Sequence, residues 1–479
     1  MAANNSAIVA MMLLYMGVCL VLGFIAYRRT VNLGDFILGG RSLNSFVTAF
    51  SAQATDMSGW LLMGLPGLAY LSGFDSIWMI AGLTVGTYLN WKVVAAPLRQ
   101  RTEQLENSLT LPDYFERRFA DSSHLLRTIS ALFILVFFVF YTSSGFVAAG
   151  RLFESLFDLP FSEAMLWGSA AMLAYTFFGG FLAISWSDVL QGTLMLIALV
   201  MVAALGIQLA GGPAGAWQQV QSSDPQLLDP FIGNGKALGW VGIASLLGWG
   251  LGYAGQPHIL ARFMAAQSPQ HIVTARRVAM AWVVTVLIAA VVVGLTGLVA
   301  LPQRLQGADA EKVFILLATT FFPPAIAGIC LAGIMAAIMS TAAAQLLVAS
   351  SAFAQDFYRG IFRRAAGGAE LLWVGRLAVL AIALLAFVLG LNPDSTVLGL
   401  VAWAWAGFGA AFGPAIVLSL YWDRMTRAGA LAGIAVGGLT VILWKQGAGL
   451  GGIFGLYELV PGFVFSWLAI WLVSLCSRR

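Results

Sequence analysis

The stretch Ser51-Ala-Gln-Ala-Thr-Asp-Met-Ser-Gly-Trp-Leu-Leu-Met-Gly-Leu-Pro66 puts one carboxylate inside an otherwise apolar run. The run begins near Ser45, and at ~1.5 Å per helical residue Asp56 lies ~16 Å along it. That is about half-way across a hydrocarbon core of ~30 Å. A carboxylate at that depth costs ~2.5–3.5 kcal/mol or more, so it needs compensation. Two readings supply it: an acid kept protonated and hydrogen-bonded to a neighbouring helix, or a cation site or proton relay. Ser58-Gly59, then Gly64 and Pro66-Gly67, interrupt the helix just past the acid. Irregular backbone survives in a membrane only where it is buried or lines a cavity, and its freed carbonyls can coordinate an ion. The break favours the cation reading.

A second interrupted run, Leu247-Gly-Trp-Gly-Leu-Gly-Tyr-Ala-Gly-Gln-Pro257, carries glycines at 242, 248, 250, 252 and 255 and ends on a proline. Trp249 and Tyr253 are four residues apart, so a remaining helical turn presents both rings on one face. The same glycines also read as a packing seam, because Gly248-x-x-x-Gly252 fits the small-x-x-x-small pattern. Matched interruptions in two halves of a membrane protein are the best sequence pointer to a binding site at mid-depth.

The composition around these runs demands lipid as solvent. Of 479 residues 60% are hydrophobic and 10% charged, with mean hydropathy +0.88, whereas soluble domains hold ~25% charged residues. Apolar runs near 8–27, 45–71, 76–95, 123–149, 163–179, 184–210, 238–256, 275–301, 325–354, 371–391, 396–421, 428–445 and 457–476 predict about 13 transmembrane helices. The stretch 313–354 has room for a short extra helix. The expected fold is thus an all-α polytopic membrane protein forming a single transmembrane domain over 1–479. If helices two to six and seven to eleven form two units, the odd number five inverts one relative to the other. A five-plus-five inverted repeat follows, the first over about 45–210 and the second over about 238–421. Extra helices fall at about 8–27, 428–445 and 457–476.

Twenty of the 25 lysines and arginines, including Arg28, Arg29, Arg99, Arg117, Arg127, Arg262, Arg359, Arg364, Arg478 and Arg479, fall on one side of this topology. Only Arg151, Lys236, Arg304, Lys312 and Lys445 fall on the other. The positive-inside rule puts the C-terminus in the cytoplasm and the N-terminus outside. This interleaving of basic residues between apolar runs is an orientation signal, so no nucleic-acid partner is expected. Cys19, Cys330 and Cys476 lie far apart, giving no disulfide framework or metal-ligand spacing. No paired catalytic constellation or nucleophile elbow occurs, which argues against an enzyme, and nothing reads as a pore ring.

Gly333-Ile-Met-Ala-Ala-Ile-Met-Ser-Thr341 adds hydroxyls to a face of small residues, Gly333, Ala337 and Ala344 among them. Intramembrane Ser and Thr commonly bond back to their own helix; as oxygen ligands they also suit a hard cation. Arg41 and Asp188 belong at the cytoplasmic mouth, either as solvated interfacial charges or as an inner gate or ion-exit pair.

Taken together, the chain resembles the sodium/solute symporter family. The resemblance is carried by Ile37-Leu-Gly-Gly-Arg-Ser42, Asp56-Met-Ser-Gly-Trp-Leu-Leu-Met-Gly-Leu-Pro66, Ser108-Leu-Thr-Leu-Pro-Asp-Tyr114, Gly248-Trp-Gly-Leu-Gly-Tyr253, Gly255-Gln-Pro-His-Ile-Leu-Ala-Arg-Phe263, Met339-Ser-Thr341 and Ala402-Trp-Ala-Trp-Ala-Gly-Phe-Gly-Ala-Ala-Phe-Gly-Pro414. These segments occur in order over essentially the whole chain. The resemblance implies a core of the leucine-transporter type in a bacterial inner membrane, coupling sodium entry to uptake of L-proline without an obligate protein partner. Another amino acid, a sugar or pantothenate remains an alternative solute, and protons an alternative ion. It implies sodium ligands at the carbonyls of Ala54, Met57 and Ala337 and the hydroxyls of Ser340 and Thr341, with Asp56 in support. It implies substrate contacts at Ser58, Gly59, Trp60, Tyr141, Trp249, Tyr253 and Pro257. Thr55 stands where a serine is expected. One sodium entering down ~100 mV supplies ~2.3 kcal/mol, and a tenfold gradient adds ~1.4 kcal/mol. One ion per zwitterion therefore supports roughly several-hundred-fold accumulation.

Overall fold

The computed structural model describes residues 2–27, 37–176 and 180–477. Arg28, Arg29, Arg478 and Arg479, which contribute to the charge asymmetry, lie outside them, as does the end of the 163–179 span. Apart from a two-stranded hairpin (β1, Ile232–Gly233; β2, Lys236–Ala237), the described secondary structure is helical. The elements used below are α1 (Ala2–Tyr27), α2 (Ser45–Asp56), α3 (Leu65–Ser72), α4 (Ser76–Leu89), α5 (Ala96–Gln104), α6 (Leu111–Arg118), α7 (Leu125–Phe157), α8 (Phe161–Thr176) and α9 (Phe181–Leu209). They continue with α10 (Gly212–Ser223), α11 (Gly239–Gly248), α12 (Pro257–Met264), α13 (Pro269–Ala300), α14 (Val313–Phe321), α15 (Pro324–Ser351), α16 (Gly368–Gly390), α17 (Val397–Tyr421), α18 (Arg427–Gly447) and α19 (Leu459–Cys476).

Among the described residues, ten helical stretches are long and apolar enough to cross a membrane, so the expected count of 13 is not matched helix for helix. The runs at 45–71 and 238–256 are not continuous helices, and one continuous stretch, Trp60–Gln104, takes in parts of two expected spans. A helix needs ~20 residues to span the core; a broken one divides that length between two pieces. The short helix α14 occupies the stretch where a small extra helix was expected.

Apolar and polar residues are arranged inside out relative to a soluble protein. Leu13, Leu14 and Val21 of α1, Leu377 and Leu384 of α16, and Leu443 of α18 are exposed, while Asp56, Asp188, Arg262, Gln256 and His258 are fully buried. Such a surface is stable only against hydrocarbon.

Helix ends are set by local chemistry. The Asn44 carboxamide caps α2 by accepting from the Val47 amide at 2.9 Å. At the other end Met57 leaves helical geometry (φ −85°, ψ 76°), Gly59 follows, and a π-helical turn over Trp60–Gly64 leads into α3. A Cβ on Gly59 would stand 2.8 Å from that of Ala148, so α7 crosses close to the break. The second interruption is longer: Trp249–Gly255 winds as a 3-10 helix, Gln256 is extended, and Pro257 starts α12. A Cβ on Gly252 would collide with the Trp405 indole, which is how α17 packs flush on this segment. The glycines therefore serve close packing and the helix break together.

The Glu311 carboxylate caps α17 from a neighbouring segment, accepting from the Val397 and Leu398 amides at 2.8 and 2.9 Å. Burial pushes its carboxyl up to about 7, against the lowering effect of those two bonds. Helix α2 packs against α9, α12, α13 and α15, and α1 lies outside against α9 and α15. The last two helices, α18 and α19, pair with each other and dock on α17.

Candidate transport site

The two helix breaks are brought together at the centre of the bundle. The end of α2 meets α15: the Ser340 hydroxyl donates to the Ala54 carbonyl at 2.7 Å and to the Ala337 carbonyl at 3.1 Å. The Thr341 hydroxyl reaches the same Ala54 carbonyl at 3.4 Å. Four of the five expected ion ligands thus form one cluster of neutral oxygens, and Met57 lies in the turn just beyond Ala54. Such a donor set fits a hard monovalent cation and offers nothing to a soft metal. Among the described residues no group of three His, Cys, Asp or Glu side chains could hold a metal ion.

Asp56 sits beside this cluster, fully buried, and neither carboxylate oxygen has a hydrogen-bond partner. Its backbone carbonyl accepts from Trp60 Nε1 at 3.2 Å and Tyr141 Oη at 3.3 Å. The Tyr253 hydroxyl is an electrostatic neighbour of the carboxylate, yet it too makes no bond of normal geometry, nor does Ser58 Oγ. Buried polar atoms are paired in more than ~90% of cases. Four unpaired ones, on three side chains at the two helix breaks, mark a place for a polar ligand.

The aromatic residues divide between lining the site and bracing it. Tyr141 and Tyr253 are buried, and Tyr253 meets the Trp405 ring edge-on at 4.9 Å. Asn90 Nδ2 donates to the Tyr253 carbonyl at 3.1 Å, and Trp405 Nε1 donates to the Trp249 carbonyl at 2.8 Å, holding the 3-10 segment from both sides. The Trp249 ring stacks on Tyr457, 5.2 Å between centroids and 20° between planes. Trp249 is therefore braced by a residue that leads into α19. Pro257 opens α12, and the next residue, His258, packs edge-on against Tyr141 with neither ring nitrogen bonded.

Asp56 is not the only fully buried charge, since Asp188 and Arg262 are buried as well. One expectation changes: Arg41 and Asp188 do not form a pair. Asp188 faces Arg262 at 3.7 Å, with Ser51 between them: its hydroxyl donates to Asp188 Oδ2 at 2.6 Å and accepts from Arg262 Nε at 3.2 Å. This joins α2, α9 and α12. Arg41 instead donates to Asn107 Oδ1 at 2.6 Å, Thr102 Oγ1 at 3.1 Å, Met264 O at 2.6 Å and Ser108 O at 2.9 Å. It latches the end of α12 to the α5–α6 connection. By sequence Arg262 reads as one of the basic residues on the cytoplasmic side; its partner Asp188 lies on a different helix, so no local pattern joins them.

A bundle of this design, with two broken helices meeting around unpaired polar groups, defines a secondary transporter of the leucine-transporter fold. The model of the sodium:solute symporter family matches residues 36–437. The chain is 51% identical to the sodium/proline symporter of Escherichia coli (strain K12), over 100% of this chain and 94% of that protein. It is 46% identical to the osmoregulated proline transporter OpuE of Bacillus subtilis (strain 168), over 97% and 94% of the two chains. The fold matches a sodium-coupled sialic acid symporter in its substrate-bound outward-open state, with TM-score 0.79 at 18% identity over 98% of both chains. It also matches Mhp1, a nucleobase-cation-symport-1 family transporter, in a closed conformation, with TM-score 0.56 at 14% identity over 93% and 96% of the chains. This chain belongs to the sodium:solute symporter family. It is a multi-pass membrane transporter, not an enzyme.

Proposed function

We propose that this protein imports L-proline across a bacterial inner membrane by sodium-coupled symport, as a single chain with its N-terminus outside and its C-terminus in the cytoplasm. The observation that carries the reading is the convergence of Ser340 and Thr341 on the Ala54 carbonyl beside the unpaired Asp56. The names of the relatives, at about half identity over nearly the full chain, supply the solute. In this proposal, residues 45–210 and 238–421 are the two repeats.

Sodium is held by the carbonyls of Ala54, Met57 and Ala337 and the hydroxyls of Ser340 and Thr341, with the Asp56 charge stabilising it from alongside. Proline, a zwitterion, lies across the two breaks near Ser58, Gly59, Trp60, Tyr141, Trp249, Tyr253 and Pro257. Its carboxylate meets amides freed by the unwound backbone, and its ammonium and ring meet aromatic faces. An ion whose ligands come from both α2 and α15 stabilises the arrangement in which those helices touch. It raises proline affinity by populating that arrangement, and the coupling is reciprocal. Arg41 and the Asp188–Arg262 pair hold the ends of α12 and α2 closed in this arrangement.

The test is uptake of labelled proline into vesicles containing the purified chain. Accumulation that requires an inward sodium gradient supports the proposal. Accumulation driven equally by a proton gradient without sodium refutes the ion assignment. Saturable sodium-driven uptake of another solute, with none of proline, refutes the solute.

A further inference from the structure

At one end of the bundle, away from the transport site, a cleft of about 390 Å³ is lined by Arg117, His124, Arg127, Gln355, Arg359, Gly360 and Arg364. Four arginines and a histidine face it, and among the described residues no acidic side chain lines it. The acids stand behind the inner arginines. Arg127 donates to Asp356, Glu116 and Asp113 at 2.8, 3.1 and 3.2 Å. Arg117 donates to Asp113 and Glu106 at 2.8 and 2.9 Å, and His124 Nδ1 stands 3.0 Å from Glu116. This outlay of charge fixes the inner guanidinium planes and neutralises them. The outer arginines are different. Arg359 reaches only the Gln355 carboxamide, at 3.5 Å, and Arg364 has no polar partner among the described residues. The cleft thus carries a surplus of positive charge at its rim.

Its position limits what can enter. Membrane-crossing stretches end or begin here at Leu125, Gly360 and Glu370, so the cleft opens at the level of the headgroups. Beside it Phe362 is 68% exposed, although it is the last residue of the π-helical continuation of α15. An exposed phenyl ring flanked by arginines is the pattern of an interfacial anchor, with the ring among acyl chains and the cations at the phosphates. A free anion has no use for that ring.

We propose that this cleft binds the phosphate of one anionic phospholipid, with Arg359 and Arg364 as its principal ligands and Phe362 against its acyl chains. A zwitterionic lipid is disfavoured because no acid among the described residues lines the cleft to receive its ammonium group. The site ties α6 and the start of α7 to the far end of α15, the helix that carries Ser340 and Thr341. The inference stands apart from the transport reading and does not depend on which solute is carried.

The experiment measures retention of phosphatidylglycerol by the purified full chain in phosphatidylcholine nanodiscs, by native mass spectrometry and by quenching with a brominated analogue. One phosphatidylglycerol is expected to be retained in preference to phosphatidylcholine. Arg359→Ala/Arg364→Ala should weaken retention roughly thirty-fold, at about one decade or less per arginine. Both side chains are exposed and nearly unbonded, so the variant should fold normally. Phe362→Ser should weaken retention of the lipid while leaving binding of inorganic phosphate unchanged. Equal retention by the double variant, or no preference over phosphatidylcholine, overturns the proposal. So does full competition by millimolar inorganic phosphate, which would make this a free-phosphate site.

Discussion

The Ser340 hydroxyl lies 2.7 Å from the Ala54 carbonyl, joining the middle of α15 to the last turn of α2. Two further oxygens share that contact, the Ala337 carbonyl and the Thr341 hydroxyl. Replacing both hydroxyls by alanine removes two ligands and leaves the small-residue face intact. Ser340→Ala/Thr341→Ala should weaken sodium binding by roughly tenfold or more, ~1.4 kcal/mol. Proline affinity should fall when sodium is present and stay constant when it is absent. Equal loss under both conditions would show that the hydroxyls only pack the helices.

Asp56 is buried beside that cluster with both oxygens unpaired. Asp56→Asn keeps the shape and removes the charge. Sodium dependence of uptake should shift to at least tenfold higher concentration, while the variant inserts and melts like the parent. A correctly inserted Asn variant with the parent's sodium dependence would reduce Asp56 to a hydrogen-bonded structural acid.

Trp249 and Tyr457 are stacked, and offset stacking of this kind is worth ~0.5–1.5 kcal/mol. Trp249→Ala should raise the half-saturating proline concentration roughly tenfold with little change in sodium binding measured without proline. Tyr457→Phe keeps the ring and should leave proline affinity near normal; Tyr457→Ala should reproduce part of the Trp249→Ala defect. If Trp249→Ala instead collapses sodium binding, the ring braces the bundle and does not contact substrate.

The Asp188–Arg262 pair is fully buried. Removing one partner from such a pair leaves an uncompensated charge and typically costs ~3–5 kcal/mol. Arg262→Met should therefore lower the thermal midpoint in detergent sharply, and Asp188→Asn added to it should recover much of the loss. Additive losses in the double variant would mean that the two side chains are not coupled.

The charge asymmetry calls for a cytoplasmic C-terminus. A reporter fused after Arg479 should be active only in its cytoplasmic form, and periplasmic activity of the same fusion would reverse the topology.

Sequence alone determined that this chain lives in lipid, that two of its helices break, and that a carboxylate and two hydroxyls sit in its apolar interior. Each is a local property: hydropathy over ~20 residues, a glycine or proline in a span, a polar side chain where water is absent. The ordered motifs from Ile37 to Pro414 carried the family as well, because they identify a whole-chain pattern without requiring any contact to be known. What only the tertiary structure decided was pairing. Arg262 reads as one of the basic residues on the cytoplasmic side until the fold brings it to face Asp188. Arg41 reads as a gate partner until its guanidinium is found bonded to the α5–α6 connection and the end of α12. Tyr457 lies far along the chain from Trp249 and had no local signal; α19 docks on α17 and brings it to Trp249. Helix-to-helix contacts depend on crossing angle and rotation about each axis, and side-chain packing across the whole bundle sets those.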